Sequence, residues 1–389
     1  MDASGRIVAI LEEMHAKAFN PMAPPPKASA GLPGGLYINW NPGWDGSSAG
    51  AAANTNFSSN GMTDAQTGKP ARHDEFTDLV YLRNLLGYRA AHPSNHEFDS
   101  DIARMVPVVK SDFHSYTYYK CTLYQELRDM ARFDPSGGWD SMANSYAEIV
   151  YQDHYNSALG VVTGSTGSTY RVDYAMQCAA ALTDDGQRTN NPSLVAAGTA
   201  IAKHVVNNAI DPSTHLLPLQ MSANGSGNDT IVQKQIKVGE EAQTLDCFLA
   251  MYDLTHDATY LTEAQAAVTW MYANALYDQE AGGFFFSVDS DGTSFQSAYK
   301  ESRQAWMLPL LQHLDRLQPG QWTSRVSEML TVVKDKLWQS PLPGYVYRVA
   351  PHFELYQTHE GPGGAIVTES WVTSEAMDIA CQALEGASA

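Results

Sequence analysis

Acidic, basic and amide side chains collect at the heads of five strongly apolar segments. The first head carries Arg72, His73, Asp74 and Glu75, and a later one Tyr170, Arg171 and Asp173. The next has Glu240, Glu241 and Gln243, and another Glu301, Arg303, Gln304 and Trp306. The last has Glu369, Trp371 and Glu375, preceded by His359 and Glu360. Two carboxyl groups, one protonated and one ionised, can share acid–base work. Arginine and glutamine offer hydrogen bonds to hydroxyls, and tryptophan offers a face for stacking. Taken singly, an Asp or Glu in a first helical turn only caps free N–H groups and complements the helix dipole. Repetition on otherwise apolar segments is what makes the set a candidate site.

The segments behind these heads read as helices. "STYRVDYAMQCAAAL", "VGEEAQTLDCFLAMY", "AYKESRQAWMLPLL" and "VTESWVTSEAMDIACQAL" begin polar and then turn apolar and small. A helix apolar nearly all round belongs in an interior. Segments between them, such as 258–276 and 321–338, carry more charge and read as peripheral, so the alternation predicts two concentric rings. Helical spacing covers 3–19, 74–92, 100–134 (two helices), 142–158, 170–184, 192–210, 239–254, 258–276, 298–316, 321–338 and 367–385. That is about eleven or twelve helices, joined by breaks short enough for antiparallel hairpins. Strand signals are confined to brief bursts such as Phe284 to Val288. A repeated phrase punctuates the helices: an acidic turn, then small residues, then an aromatic or aliphatic burst. It occurs at Asp134–Trp139, Asp211–Leu219 and Asp278–Phe286, with a looser copy at Pro343–Tyr347.

Residues 20–70 form a long Pro-, Gly- and Asn-rich stretch with Tyr37, Trp40 and Trp44 in "LYINWNPGWDG". Those aromatics predict an ordered loop draped over one face, either as a stacking platform or pinned to the body. No linker divides the chain after residue 70, so one domain spanning 1–389 is expected. Hydrophobic residues make up 44% of the 389 and charged residues 17%, enough for a large core. The net charge of −19 repels nucleic acid and anionic lipid. A neutral partner such as a sugar chain is compatible with it. No apolar run is long enough to span a membrane. The start lacks a basic-then-apolar leader, but the scarcity of basic residues and abundance of Ser, Thr, Asn and Gly suit a secreted or periplasmic protein. Cys121, Cys178, Cys247 and Cys381 lie far apart in apolar stretches and read as buried free thiols. No zinc spacing, phosphate-binding glycine loop or nucleophile elbow is present, and no cofactor is expected. The loop Val288–Ser294 ("VDSDGTS") places Gly292 too early for a calcium loop and reads as a turn.

The "GGFFF"-type turn followed by a polar-headed inner helix resembles the six-hairpin glycosidase superfamily over roughly residues 130–385. Its members include the bacterial endo-mannanases, the unsaturated glucuronyl hydrolases and the N-acylglucosamine 2-epimerases. The resemblance implies an all-α (α/α)6 toroid of six helical hairpins, with short β-hairpins in its loops and the inner-helix heads ringing one sugar-facing mouth. The adjacent aspartates of the mannanases do not transfer, because Asp184 and Asp185 fall at the far end of a helix. The histidines of the epimerases have no counterpart at these heads. Within that mouth, Glu241 is assigned as general acid and Asp173 as base, with Glu240 and Asp74 as further catalytic candidates. Tyr37, Trp40, Trp44, His73, Arg171, Gln243, Arg303, Trp306, His359, Glu360, Glu369 and Trp371 are the candidate substrate contacts. The expected activity is hydrolysis of an oligo- or polysaccharide by a monomer. The alternatives are a uronate lyase, with His359 as base and Arg303 neutralising a substrate carboxylate, and a non-catalytic glycan-binding protein.

Overall fold

The computed structural model describes residues 1–18, 36, 39–40, 75–113, 121–163, 167–225, 227–340, 344–356, 359–360, 366–367 and 372–387. Among these, twelve α-helices alternate between an outer and an inner ring. The outer ring is α1 (Ala3–Glu13), α3 (Asp99–Asp112), α5 (Trp139–Asp153), α7 (Pro192–Asn208), α9 (Ala258–Ala273) and α11 (Thr323–Thr331). The inner ring is α2 (Glu75–Ala91), α4 (Thr122–Phe133), α6 (Val172–Thr189), α8 (Val238–Thr255), α10 (Met307–Leu317) and α12 (Ser374–Glu385). Each inner helix packs on the next, α12 returns to pack on α2, and α1 packs on α12. The result is the closed (α/α)6 toroid expected from the sequence, with the core between the rings.

The two ends of the toroid are built differently. Connections from an inner to an outer helix are short: 134–138, 190–191, 256–257 and 318–322. Local chemistry closes them. Asn190 ends α6 in the left-handed region (φ 55°), and Asn191 then caps α7 by accepting the Ser193 N–H, with Pro192 at the first helical position. His256 and Asp257 do the same between α8 and α9, Asp257 accepting the Thr259 N–H. The hairpin α6–α7 is especially close because Gly186 and Gly198 face the partner helix. A Cβ on Gly198 would lie 2.6 Å from the Ala179 carbonyl.

Connections from an outer to an inner helix are long: 154–171, 209–237, 274–306 and 332–373. They converge on the inner-helix N-termini, hereafter the head face. Here the structure corrects the sequence reading. Helices were expected to begin near 170, 298 and 367, but α6, α8, α10 and α12 are instead entered from short strands. Thr169–Arg171 leads into α6, Gln235–Lys237 into α8, Lys300–Glu301 into the 3₁₀ turn Ser302–Trp306 before α10, and Val372–Thr373 into α12. The cause is cross-loop pairing. Residues 169–171 pair with 220–222, 235–237 with 287–289, and 300–301 with 348–349, each partner lying in the next lead-in loop. Residues 372–373 pair with 39–40 in the first loop, which carries the stitching from the last lead-in loop back to the first.

The repeated phrase is real but does not mark one face. Its copies at Asp211, Asp278 and Pro343 follow outer helices, whereas the copy at Asp134 follows the inner helix α4 and sits on the opposite, tail face. The phrase marks a helix end because aspartate accepts N–H groups two and three residues on. Asp211 takes those of Ser213 and Thr214, and Asp278 those of Glu280 and Ala281. That chemistry is local and indifferent to which ring the helix joins. All four cysteines are free, as expected. Among the described residues no helix is long and apolar enough to cross a membrane. The 288–294 segment is the turn expected of it, with Asp291 accepting from Thr293 and paired to Lys234 at 2.6 Å.

Candidate active site

Four strand-to-helix junctions bring the head residues together. At the start of α6, Arg171 grips Asp173 with two hydrogen bonds, Nε to Oδ1 at 2.9 Å and Nη2 to Oδ2 at 2.5 Å. The Arg171 guanidinium also stacks on the Tyr174 ring at 4.5 Å. Arg303 donates to Glu240 on α8 at 2.9 Å and to Glu375 on α12 at 2.6 Å, tying three inner helices at one point. Lys237 stands 3.6 Å from Glu240. Gly239 makes this approach possible, because a Cβ there would lie 2.6 Å from the Arg303 Cβ.

Three carboxyl groups in this cluster hold protons more tightly than usual. Glu241 is buried and pushed up to about 8; burial is the main cause, the nearby Asp173 charge adds to it, and the Leu217 N–H, donated to Oε1 at 3.2 Å, opposes it. Glu301 is pushed up to about 7 by burial, against the pull of Arg303. Burial also raises Asp173, although its Arg171 partner holds the shift back. The head therefore combines a carboxyl that keeps its proton at neutral pH with a neighbouring carboxylate gripped by arginine. That is the complementary pair that acid–base cleavage of an acetal requires.

The repeated phrase positions these groups. Leu217, from the Asp211 copy, supplies the N–H that holds Glu241. Phe284, from the Asp278 copy, donates its N–H to Gln304 at 2.8 Å. Tyr347, from the Pro343 copy, lies beside Glu301; the carboxyl helps to raise the phenol, while the phenol's hydrogen bond restrains the rise of Glu301. These three bursts thus anchor lead-in loops under the following heads.

Of the sequence candidates, Asp173, Glu240, Glu241, Arg171 and Arg303 are brought together. Arg303 is occupied by Glu240 and Glu375 and so is not a free cation for a substrate carboxylate. Gln243 and Trp306 lie one turn further along their helices, on the wall of a cavity of about 860 Å³ inside the inner ring. Trp40 lies in the strand paired with Val372–Thr373, and His359 and Glu360 in a strand paired with Ile366–Val367; their side chains are outside the described set. Tyr37, Trp44, His73, Asp74, Glu369 and Trp371, with most of the 20–70 loop, lie outside the described residues. Asp184 and Asp185 sit at the far end of α6 on Arg188 and Arg128, as expected of a pair with no part in the mouth.

Sequence reasoning passed over Lys237, Tyr347 and the buried Asp378, and it stopped at the first helical turn. The half-buried residues on the inner helices continue at three- and four-residue steps: Arg303, Trp306, Pro309 and Gln312 on one, Gln243, Asp246 and Ala250 on another. That spacing, visible in the sequence, marks a stripe facing the bore.

No family model matches the chain, and no curated protein matches it by sequence. Solved structures do. An unsaturated glucuronyl hydrolase from a Bacillus species is 12% identical with a TM-score of 0.65, covering 98% of this chain and 94% of its own. A D-mannose isomerase is 12% identical with a TM-score of 0.65, covering 97% and 96%. A family 76 alpha-mannanase from Bacteroides thetaiotaomicron is 11% identical with a TM-score of 0.64, covering 99% and 95%. These solved structures share the (α/α)6 toroid fold with this chain, and at these identities the likeness concerns the fold alone.

Proposed function

We propose that this chain is a glycan-processing enzyme, a glycoside hydrolase acting on an oligo- or polysaccharide at the head face. The observation that carries the reading is Glu241, a buried carboxyl pushed to about 8 beside Asp173. Glu241 delivers a proton to the leaving glycosidic oxygen. Asp173, held by two hydrogen bonds from Arg171, acts as base or nucleophile. Among the described residues, the carboxylates of Asp173, Glu240 and Glu375 face Arg171, Lys237 and Arg303. Among the described head residues these cations are engaged by carboxylates, which supports a neutral glycan over a uronate. The superfamily fold, shared with enzymes named as hydrolases and isomerases of sugars, supports the same reading. A polymeric substrate puts the enzyme outside the cytoplasm, in a secreted or periplasmic setting. The test is a polysaccharide panel read by both reducing-end release and ultraviolet absorbance. Reducing ends without an absorbing product are expected. An absorbing, unsaturated product would replace hydrolysis with elimination, and binding without any product would make the protein a glycan receptor.

A further inference from the structure

The cavity of about 860 Å³ lies beyond the head cluster, not within it. Its wall begins one turn past the heads and runs to the C-terminal ends of α2, α4 and α12, where Ala91, Phe133 and Gly386 line it. None of Asp173, Glu240, Glu241 or Arg303 reaches it. The volume lies within the range of small-molecule sites.

What lines it is unusually regular. Five consecutive inner helices each contribute a glutamine: Gln125 from α4, Gln177 from α6, Gln243 from α8, Gln312 from α10 and Gln382 from α12; α2 contributes Arg83. Gln177 is 4% exposed, and neither Nε2 nor Oε1 has a hydrogen-bond partner; Oε1 of Gln382 also lacks one. Buried amides left this way are costly and call for a polar occupant. The arginines on the wall and His313 are already paired, while His92 is exposed at its edge. Arg83 is bound to Asp129, Glu385 and Glu126, Arg132 to Asp129, and His313 to Asp246 and Asp253. The wall therefore has unused amide donors and acceptors, whereas its arginines are already engaged by carboxylates. An amide offers donors and an acceptor together, which matches a hydroxyl, itself both. Trp306 and Phe133 add apolar faces of the kind that stack on a sugar ring.

We propose that this chamber is a second binding site, entered from the tail face, for a neutral hydroxyl-rich ligand of mono- to disaccharide size. It is distinct from the head cluster and stands whether or not that cluster hydrolyses glycans.

The test is titration calorimetry of the full chain with D-glucose, cellobiose, maltose and trehalose, with D-glucuronate as the charged comparison. At least one neutral probe is expected to bind with a millimolar or tighter Kd, and glucuronate at least tenfold more weakly. Glu241→Gln and Asp173→Asn should leave that Kd within twofold. Gln177→Leu should weaken it at least tenfold. Gln312→Leu, at a half-buried position without a partner, should do the same with an unchanged melting temperature and supplies the result if Gln177→Leu fails to fold. The proposal is overturned if no neutral probe binds, which makes the chamber a water-filled void only. It is equally overturned if glucuronate binds as well as the neutral probes, if the glutamine variants bind like the parent, or if the head variants abolish binding.

Discussion

The two ends of one bore, built from the same six helices, treat charge in opposite ways. At the tail, Arg83 collects Glu126, Asp129 and Glu385, Gln382 donates twice to Glu126, and His313 is clasped between Asp246 at 2.7 Å and Asp253 at 3.1 Å. Its connections are short turns. At the head, long stitched loops hold a group of carboxyls in which Asp173, Glu241 and Glu301 are all raised by burial. The difference shows how a toroid separates stability from chemistry. At the tail, burial raises Glu126 to about 7 and raises Glu385 too, but both stay tied to Arg83. Long loops can bury a carboxyl without supplying it a full partner, and a carboxyl left so is primed to give up its proton late.

Breaking the tail should therefore cost stability and breaking the head should cost activity. The largest stability effect is expected from Arg83→Met, which leaves three acidic groups without their cation. A loss of roughly 3–5 kcal/mol in denaturant unfolding is expected, with turnover per folded molecule retained. Retention of parental stability would mean that the tail pairs are not structural. A smaller and opposite outcome is expected from Gly239→Ala. The added methyl meets Arg303 at 2.6 Å, so turnover should fall about tenfold to a hundredfold through misplacement of the head, with only a modest shift in melting. A fall in melting with unchanged turnover would contradict the placement.

The pH dependence sharpens the same contrast. Glu241 at about 8, and Glu301 and Glu126 at about 7, each stand above the 4.5 of a free glutamate. The folded state then holds more protons than the unfolded one between these values, and ∂ΔG/∂pH is negative there. Stability should be fully present below about 4.5 and should decline as pH rises through 7 to 8. Melting temperature measured from pH 5 to 9 should follow that slope, and Glu241→Gln should flatten its upper part. The smallest effect is expected from Tyr347→Phe, which removes the hydroxyl beside Glu301 and should shift the pH profile of kcat/KM by a fraction of a unit without altering stability. An unchanged profile would disconnect Tyr347 from the site.

Much of this molecule was legible in the chain because two of its signals are local. Apolar helices with polar heads reported the inner ring, and the acidic-turn phrase reported helix ends. The same locality explains the errors. The phrase at Asp134 reads like that at Asp278 but sits on the other face, where Asp134 accepts from the Ser136 hydroxyl and the Trp139 indole N–H instead. The strands Thr169–Arg171 and Lys300–Glu301 form because a partner segment some fifty residues on lies alongside, and no window around either strand contains that partner. Asp173, Glu241 and Arg303 could be named from their helix starts. Gln177, Gln312 and Gln382 could not be singled out from solvent-facing glutamines until the stripe was seen to face inward. The aromatic loop and the heads at 72–74 and 369–371 were read as site residues from type alone, and they lie outside the described residues.

The most direct test of the central claim is the rate of reducing-end release by Glu241→Gln and Asp173→Asn on a glycan that the parent cleaves. Both should lose at least about a thousandfold in kcat while keeping the parental melting temperature at pH 5. Near-parental turnover in both variants would remove the head carboxyls from catalysis.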